Sequence, residues 1–166
     1  MGAGKTTAGK ALAARLGWRF VDLDDLIETR EQRTIEQIFR DSGEPAFRRI
    51  EEQVLTEALR DYAGGTVLSL GGGAFISNTN RQLLRENRTP VVFLDAPVEE
   101  LFRRCMQPGT VRPLLKDPAQ FCELYEQRRP MYLQASICIQ TAAREIPSLV
   151  EEIVSSLRLE ESGATR

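Results

Sequence analysis

Histidine does not occur once in the 166 residues. Its absence removes imidazole general bases, Ser-His-Asp triads and HExxH metal sites. Acid–base or metal chemistry must therefore use carboxylates, hydroxyls, backbone groups, Lys or Arg. Cysteine is scarce: Cys105, Cys122 and Cys138 are odd in number, dispersed and without a CxxC spacing. That pattern argues against a disulfide scaffold or a cysteine zinc site and for a reducing compartment. No apolar run approaches the roughly 18 residues that would suggest a membrane span, and the N-terminus has no apolar signal core. A cytoplasmic protein is expected. Low-complexity linkers and internal repeats are also missing. The formal charge of −2 leaves no basic footprint for nucleic acid across the domain, although 22 Lys and Arg can still gather around an anionic ligand.

What remains has the composition of one ordinary globular domain, 1–166, with 42% hydrophobic and 28% charged residues. Short apolar runs alternate with longer helical patterns, the signature of βα units around a parallel sheet. Strands are expected at 18–21, 66–70, 90–96 and 136–140. Helices are expected at 6–16, 25–31, 35–41, 44–61, 80–86, 97–106, 119–134 and 146–157. The segment QPGTVRPLLKDP (107–118) contains three prolines and breaks all periodicity, so it reads as a functional lid. The last residues, EESGATR, read as a frayed tail.

The chain opens on MGAGKTT, the end of the phosphate-loop pattern G-x-x-x-x-G-K-[ST] without its first glycine or the strand that normally carries it. Gly2, Ala3, Gly4, Lys5, Thr6 and Thr7 could still cradle phosphate with backbone N–H groups. Lys5 would reach the terminal phosphates, the Thr6 hydroxyl would ligate magnesium, and the following helix would add its N-terminal partial charge. Asp22 and Asp24 follow the next strand at a spacing that points both carboxylates to one side of an extended chain. The same residues also fit a helix N-cap with an acidic first turn. In FRRIE (47–51), Arg48 and Glu51 share a helix face; the pair is either a solvated ion pair or a guanidinium fork aimed at a carboxylate. Gly71, Gly72 and Gly73 follow a buried apolar run and read as a turn that a ligand approaches closely. Arg112 in the lid, Arg128 in QRRPMY and Arg104 on a helix are surface charges or ligand contacts.

Together GAGKTT (2–7), DLD (22–24), FRRIE (47–51), GGG (71–73), TVRPLL (110–115) and RRPMY (128–132) resemble the shikimate kinase family over essentially the whole chain. The resemblance implies a P-loop NTPase fold: an α/β protein with a five-stranded parallel sheet, flanking helices, a mobile lid at 107–118 and a shikimate-binding helical region at 24–62. It implies ATP-dependent phosphorylation of the shikimate 3-hydroxyl, in chorismate and aromatic amino acid biosynthesis, by a cytoplasmic monomer using magnesium. Lys5 and Thr6 would bind ATP phosphates and magnesium, Asp22 would join the magnesium shell through water, and Asp24 would activate the 3-hydroxyl. Arg48 and Arg128 would clamp the carboxylate, with Gly71, Gly72 and Gly73 beside the ring. Arg112 would close onto phosphate and Arg104 would neighbour the adenine. A gluconate-kinase-like enzyme, or a kinase-like module without catalysis, is the alternative.

One departure stands out. The family's first strand, central in its sheet, has no counterpart ahead of GAGKTT. The strands at 66–70 and 90–96 are therefore expected to face a gap with unpaired backbone groups. A start placed at an internal Met, or a trimmed chain, would generate such a sequence.

Overall fold

The computed structural model describes residues 2–62, 64–106 and 117–160. Helix α1 (Lys5–Leu16) buries Ala8, Leu12, Ala13 and Leu16 and is closed by Gly17 in the left-handed conformation, φ 65°. The Gly17 N–H returns to carbonyls of the last turn, the usual helix stop. Strand β1 (Arg19–Asp22) runs directly into α2 (Leu23–Glu31), and α3 (Ile35–Asp61) begins in a capping box between Thr34 and Gln37. The two expected helices at 35–41 and 44–61 are thus one element bent at Gly43, whose φ of 76° no helix accommodates. Then come β2 (Thr66–Ser69), a 3₁₀ turn at Ala74–Ile76, α4 (Asn78–Glu86) and β3 (Val92–Asp95). The order ends with α5 (Val98–Cys105), α6 (Pro118–Tyr132), β4 (Ile137–Gln140) and α7 (Ile146–Leu157).

Each expected strand and helix is present, with shifted ends. The strand expected at 90–96 keeps only four residues, because Pro90 has no N–H for a ladder and Pro97 already begins the next helix as its N-cap. Helix α2 starts two residues earlier than its apolar pattern suggested, because Asp22 caps it. Ser77 does the same for α4. The lid at 107–118 lies almost wholly outside the described residues, with Asp117 and Pro118 serving as the N-cap and first residue of α6.

The four strands pair in two parallel couples. β1 lies beside β2, with Arg19 opposite Thr66 and Asp22 opposite Ser69; β3 lies beside β4, with Val92 opposite Ile137 and Asp95 opposite Gln140. Successive residues face opposite sides, so each face acquires its own apolar core. On one face Val67, Val92, Leu94, Ile137 and Ile139 pack with α1, α5, α6 and α7. On the other, Leu68, Leu70 and Val91 pack with α2, α3, α4 and Phe75. The result is a three-layer α/β arrangement.

The expected gap is there. β2 and β3 do not pair with each other among the described residues. A largely apolar slot of about 540 Å³ separates them, lined by Val67, Leu68, Val92, Phe93, Leu12 and Ile153 among others. Helix α1 packs against β1, β2 and α7, and α7 packs on β4, so these two helices tie the couples together across the slot. Each ladder group left unpaired away from water costs about 1–3 kcal/mol.

A four- or five-residue apolar strand joined ahead of Gly2 is therefore expected to enter the slot parallel to β2 and β3. Pairing with both edges should raise the melting temperature by more than about 5 °C, since 1 kcal/mol is worth about 2–4 °C at this size. Circular-dichroism melts of the two chains measure this; equal midpoints would show that the slot does not accept a strand.

Candidate active site

Within each couple the strands end together, β1 and β2 at Asp22 and Ser69, β3 and β4 at Asp95 and Gln140. This is where parallel α/β sheets place ligands. The opening loop lies there. Gly2 and Gly4 both have left-handed backbones, φ 65° and 78°. A Cβ on Gly2 would strike the Leu101 carbonyl and come within 2.9 Å of Cys105 Sγ, so a side chain is excluded by space as well as by φ. Ala3 is buried beneath the loop. Gly4 is the N-cap of α1; no side chain caps the helix and its first turn holds no acid. The first-turn amides, whose N–H groups lack intrahelical acceptors, are thus suited to binding an anion. Lys5 is half-buried, and Thr6 and Thr7 are exposed on that turn.

The acidic pair differs from its extended reading. β1 ends at Asp22, whose Oδ1 accepts the Asp24 N–H at 3.0 Å as the N-cap of α2. Asp24 therefore stands on the first helical turn rather than on an extended strand. That turn still delivers it to the glycine run: a Cβ on Gly71 would lie 2.5 Å from Asp24 Oδ1. The helix-cap geometry and the approach to the glycines coexist.

Arg48 reaches the same run from α3, and a Cβ on Gly73 would lie 2.6 Å from its Nη2. Its guanidinium donates through Nη1 to both Glu51 oxygens, at 2.9 and 3.1 Å, and through Nη2 and Nε to Glu44 Oε1, at 3.0 and 3.3 Å. Glu51 is 1% exposed, while the Glu44 side chain is 63% exposed. Burial pushes the Glu51 carboxyl up, its hydrogen bonds to Arg48 pull it down, and the nearby Asp24 charge adds to the rise. For Arg48, burial favours loss of the charge, but Glu51 and Glu44 together outweigh it and hold the guanidinium protonated. The Arg48–Glu51 contact is therefore a fixed, part-buried pair rather than a solvated one.

Tyr132 closes this group, its hydroxyl donating to the Gly72 carbonyl at 2.6 Å. Sequence reading quoted Tyr132 within RRPMY but gave it no role. Arg128 lies one turn before Tyr132 on α6 and is partly buried. Arg104 lies on α5, donating to Glu100 Oε1 at 2.5 Å and to Thr141 Oγ1 at 3.4 Å. Arg112 lies outside the described residues. The site thus brings together Asp24, Arg48, Gly71, Gly72 and Gly73. Behind it, Asn80 Nδ2 donates to the Ala74 carbonyl at 2.9 Å, and Arg81 Nη1 to the Phe75 and Ile76 carbonyls at 2.9 and 2.6 Å. These two buried side chains pin the 3₁₀ turn that continues the glycine run. Neither was legible as anything but helix polarity.

The comparisons with known proteins agree. The family model described as shikimate kinase matches residues 1–158. The chain belongs to the shikimate kinase family. It is 41% identical to a shikimate kinase of Persephonella marina over 95% of this chain and 94% of that one. Identity to the shikimate kinase of Thermus thermophilus is 42%, covering 95% and 85%. Among solved structures, a shikimate kinase from Bacteroides thetaiotaomicron superposes with a TM-score of 0.87 at 33% identity, covering 96% and 94%. Another, from Acinetobacter baumannii in complex with shikimate, gives 0.85 at 36%, covering 95% and 88%. The fold is accordingly that of the P-loop NTPases, with the parallel strands and flanking helices described above, and the chain is a kinase.

Gly73→Ala tests the tightness of the site. The three atoms nearest to the added methyl all belong to the Arg48 guanidinium, so the Arg48–Glu51 geometry should be lost while the fold persists. The expected cost is about 1–3 kcal/mol of stability, read as a lower denaturant midpoint with unchanged slope. A midpoint equal to the parent's would mean that Arg48 does not abut Gly73.

Proposed function

We propose that the chain transfers the terminal phosphoryl group of ATP to the 3-hydroxyl of shikimate, giving ADP and shikimate 3-phosphate. The observation that carries this reading is the pair of opposite charges set against the run Gly71–Gly73. A carboxylate stands at one end (Asp24), a guanidinium at the other (Arg48), and bare backbone lies between. A small ring bearing a carboxylate at one end and hydroxyls at the other fits that polarity. The Nε–Nη2 edge of Arg48 already holds the exposed carboxylate of Glu44, a place that a ligand carboxylate could take over. Glu51 would keep the guanidinium oriented meanwhile. Arg128, on the face of α6 that reaches Gly72 through Tyr132, would supply the second cation of the clamp. The likeness to a shikimate kinase crystallised with shikimate supports the same substrate.

Phosphoryl transfer is chiefly positioning and charge neutralisation, so a carboxylate base suffices and no histidine is needed. Asp24 would hold and deprotonate the attacking hydroxyl. The amides of residues 2–7 and the Lys5 ammonium would hold the phosphates, with Arg112 as a further cation there. Arg104 would border the adenine. Magnesium suits the oxygen donors of the Thr6 hydroxyl and the Asp22 carboxylate, being an ion that keeps several waters and leans on substrate phosphates. Thr6 would bind it directly and Asp22 through water, where it would neutralise phosphate charge. The reading places the protein in the cytoplasm, as a monomer, in chorismate and aromatic amino acid synthesis. Among the described residues no helix is long and apolar enough to cross a membrane.

A coupled ADP-release assay with shikimate and with gluconate tests the substrate. Turnover is expected with shikimate; turnover with gluconate alone would overturn the reading, and turnover with neither would leave a non-catalytic module. In the active protein, Asp24→Asn should abolish most turnover while nucleotide binding by calorimetry changes less than about threefold. Near-normal turnover would remove Asp24 from the chemistry.

Arg48→Lys replaces a planar fork by a point charge. It should raise the Michaelis constant for shikimate by about tenfold, the worth of one charge-assisted hydrogen bond, with that for ATP unchanged. A shikimate constant within twofold of the parent's would exclude the clamp.

A further inference from the structure

Asp95 ends β3, outside every residue assigned above to a ligand, and is 3% exposed. Its Oδ1 accepts the Ala96 N–H at 3.0 Å and the Tyr125 hydroxyl. Its Oδ2 accepts Arg129 Nη2 at 3.2 Å and Gln140 Nε2 at 3.1 Å. The Asp95 carbonyl accepts both the Thr141 N–H, at 2.8 Å, and the Thr141 hydroxyl, at 3.1 Å. The carboxylate thus has donors from α6, from β4 and from the residue that follows it, and two of its four partners lie on α6. A buried carboxylate with donors on every side is a rigid anchor, because moving any partner leaves charge uncompensated.

The anchored side chains sit next to the one that matters. At about 100° per residue, Tyr125, Arg129, Tyr132 and Arg128 fall within a single arc of α6 roughly 100° wide, Arg129 at one border and Arg128 at the other. Tyr125 and Arg129 bind Asp95, and Tyr132 binds the Gly72 carbonyl. With Phe121 buried in the core, these two polar attachments, to β3 and to the glycine run, define the rotation of the helix. The direction in which Arg128 projects is set by that rotation.

We propose that Asp95 is a positioning residue. Through Tyr125 and Arg129 it sets the rotation of α6 and with it the reach of Arg128 toward the glycine run. The proposal rests on the reading of Arg128 as a ligand of the substrate carboxylate. The nucleotide side is tied to the Asp95 carbonyl through Thr141 and Arg104, not to its carboxylate. A side-chain substitution should therefore act on one substrate only.

The test is a cycle of Asp95→Asn, Arg128→Ala and the double variant, with steady-state kinetics for both substrates. Asp95→Asn should raise the Michaelis constant for shikimate by about three- to tenfold, the range of one or two lost hydrogen bonds. The constant for ATP and the turnover number should stay within twofold. In the Arg128→Ala background the effect of Asp95→Asn on shikimate should vanish, since residues acting through one another are non-additive. Tyr125→Phe, which removes one hydroxyl without altering charge, repeats the cycle should Asp95→Asn fail to fold. An unchanged shikimate constant, or an equal rise in both backgrounds, overturns the proposal. If Arg128→Ala alone leaves shikimate unaffected, the reading of Arg128 fails first and the proposal with it, an outcome distinct from a failure at Asp95.

Discussion

The architecture depends on helix α1 packing across two strand couples that do not pair with each other. Ladder hydrogen bonds bind β1 to β2 and β3 to β4, but none joins the couples among the described residues. What joins them is apolar contact. Leu12 and Leu16 of α1, Leu149, Val150 and Ile153 of α7, and Leu94 and Ile139 of the strands form one buried cluster. Burial of such side chains is worth about 1.5–3 kcal/mol each and has no direction, so it can span a slot that hydrogen bonds cannot. The same helix presents Gly4, Lys5 and Thr6 at its start. Cohesion of the domain and placement of the phosphate loop are therefore one task carried by one element.

The glycine run is the second constraint. Gly71 and Gly73 are each approached by a charged group so closely that a methyl would collide with it. The carbonyl between them is fixed by Tyr132, and the turn that follows is pinned by Asn80 and Arg81. Arginine and asparagine are costly to bury without partners. Here they satisfy carbonyls that a 3₁₀ turn leaves open, which converts flexible backbone into a defined surface. Opposite it, Glu51 holds Arg48 from beneath. The glycine run and Arg48 are thus held from behind by buried polar groups that a ligand in front of them need not touch.

Much of this was legible in the sequence, for a physical reason. Parallel strands buried on both faces are short apolar runs, so TVLSL and PVVFL announced themselves. The glycine-rich segments, with Asp24 and Arg48, marked the site edge through residue chemistry alone. The slot between β2 and β3 was also expected, because the sheet of the family that the motifs resemble carries a further strand there. Local spacing left two alternatives open, and one contact depends on partners distant in sequence. Asp22 fitted an extended pair and a helix N-cap alike, and its bond to the Asp24 N–H decides for the cap. The pair of Arg48 and Glu51 fitted a surface ion bridge as well as a buried one, because periodicity does not report that Glu51 lies under the apolar face. Asp95 read as the tail of a strand, although its donors come from residues 125, 129 and 140.

The pairing of strands in two couples also bears on how the chain acquires its structure. The β1–β2 ladder closes over the segment from Arg19 to Ser69, and the β3–β4 ladder over that from Val92 to Gln140. Yet neither couple buries its apolar surface alone. Val67 of β2 belongs to the same cluster as Leu94 and Ile139, and Leu68 to the same cluster as Val91. Side chains on both faces thus join what the ladders leave apart, so the amides of all four strands should lose their protection from solvent exchange together. The slot at the centre of the fold interrupts the ladder but not the cores on either side of it.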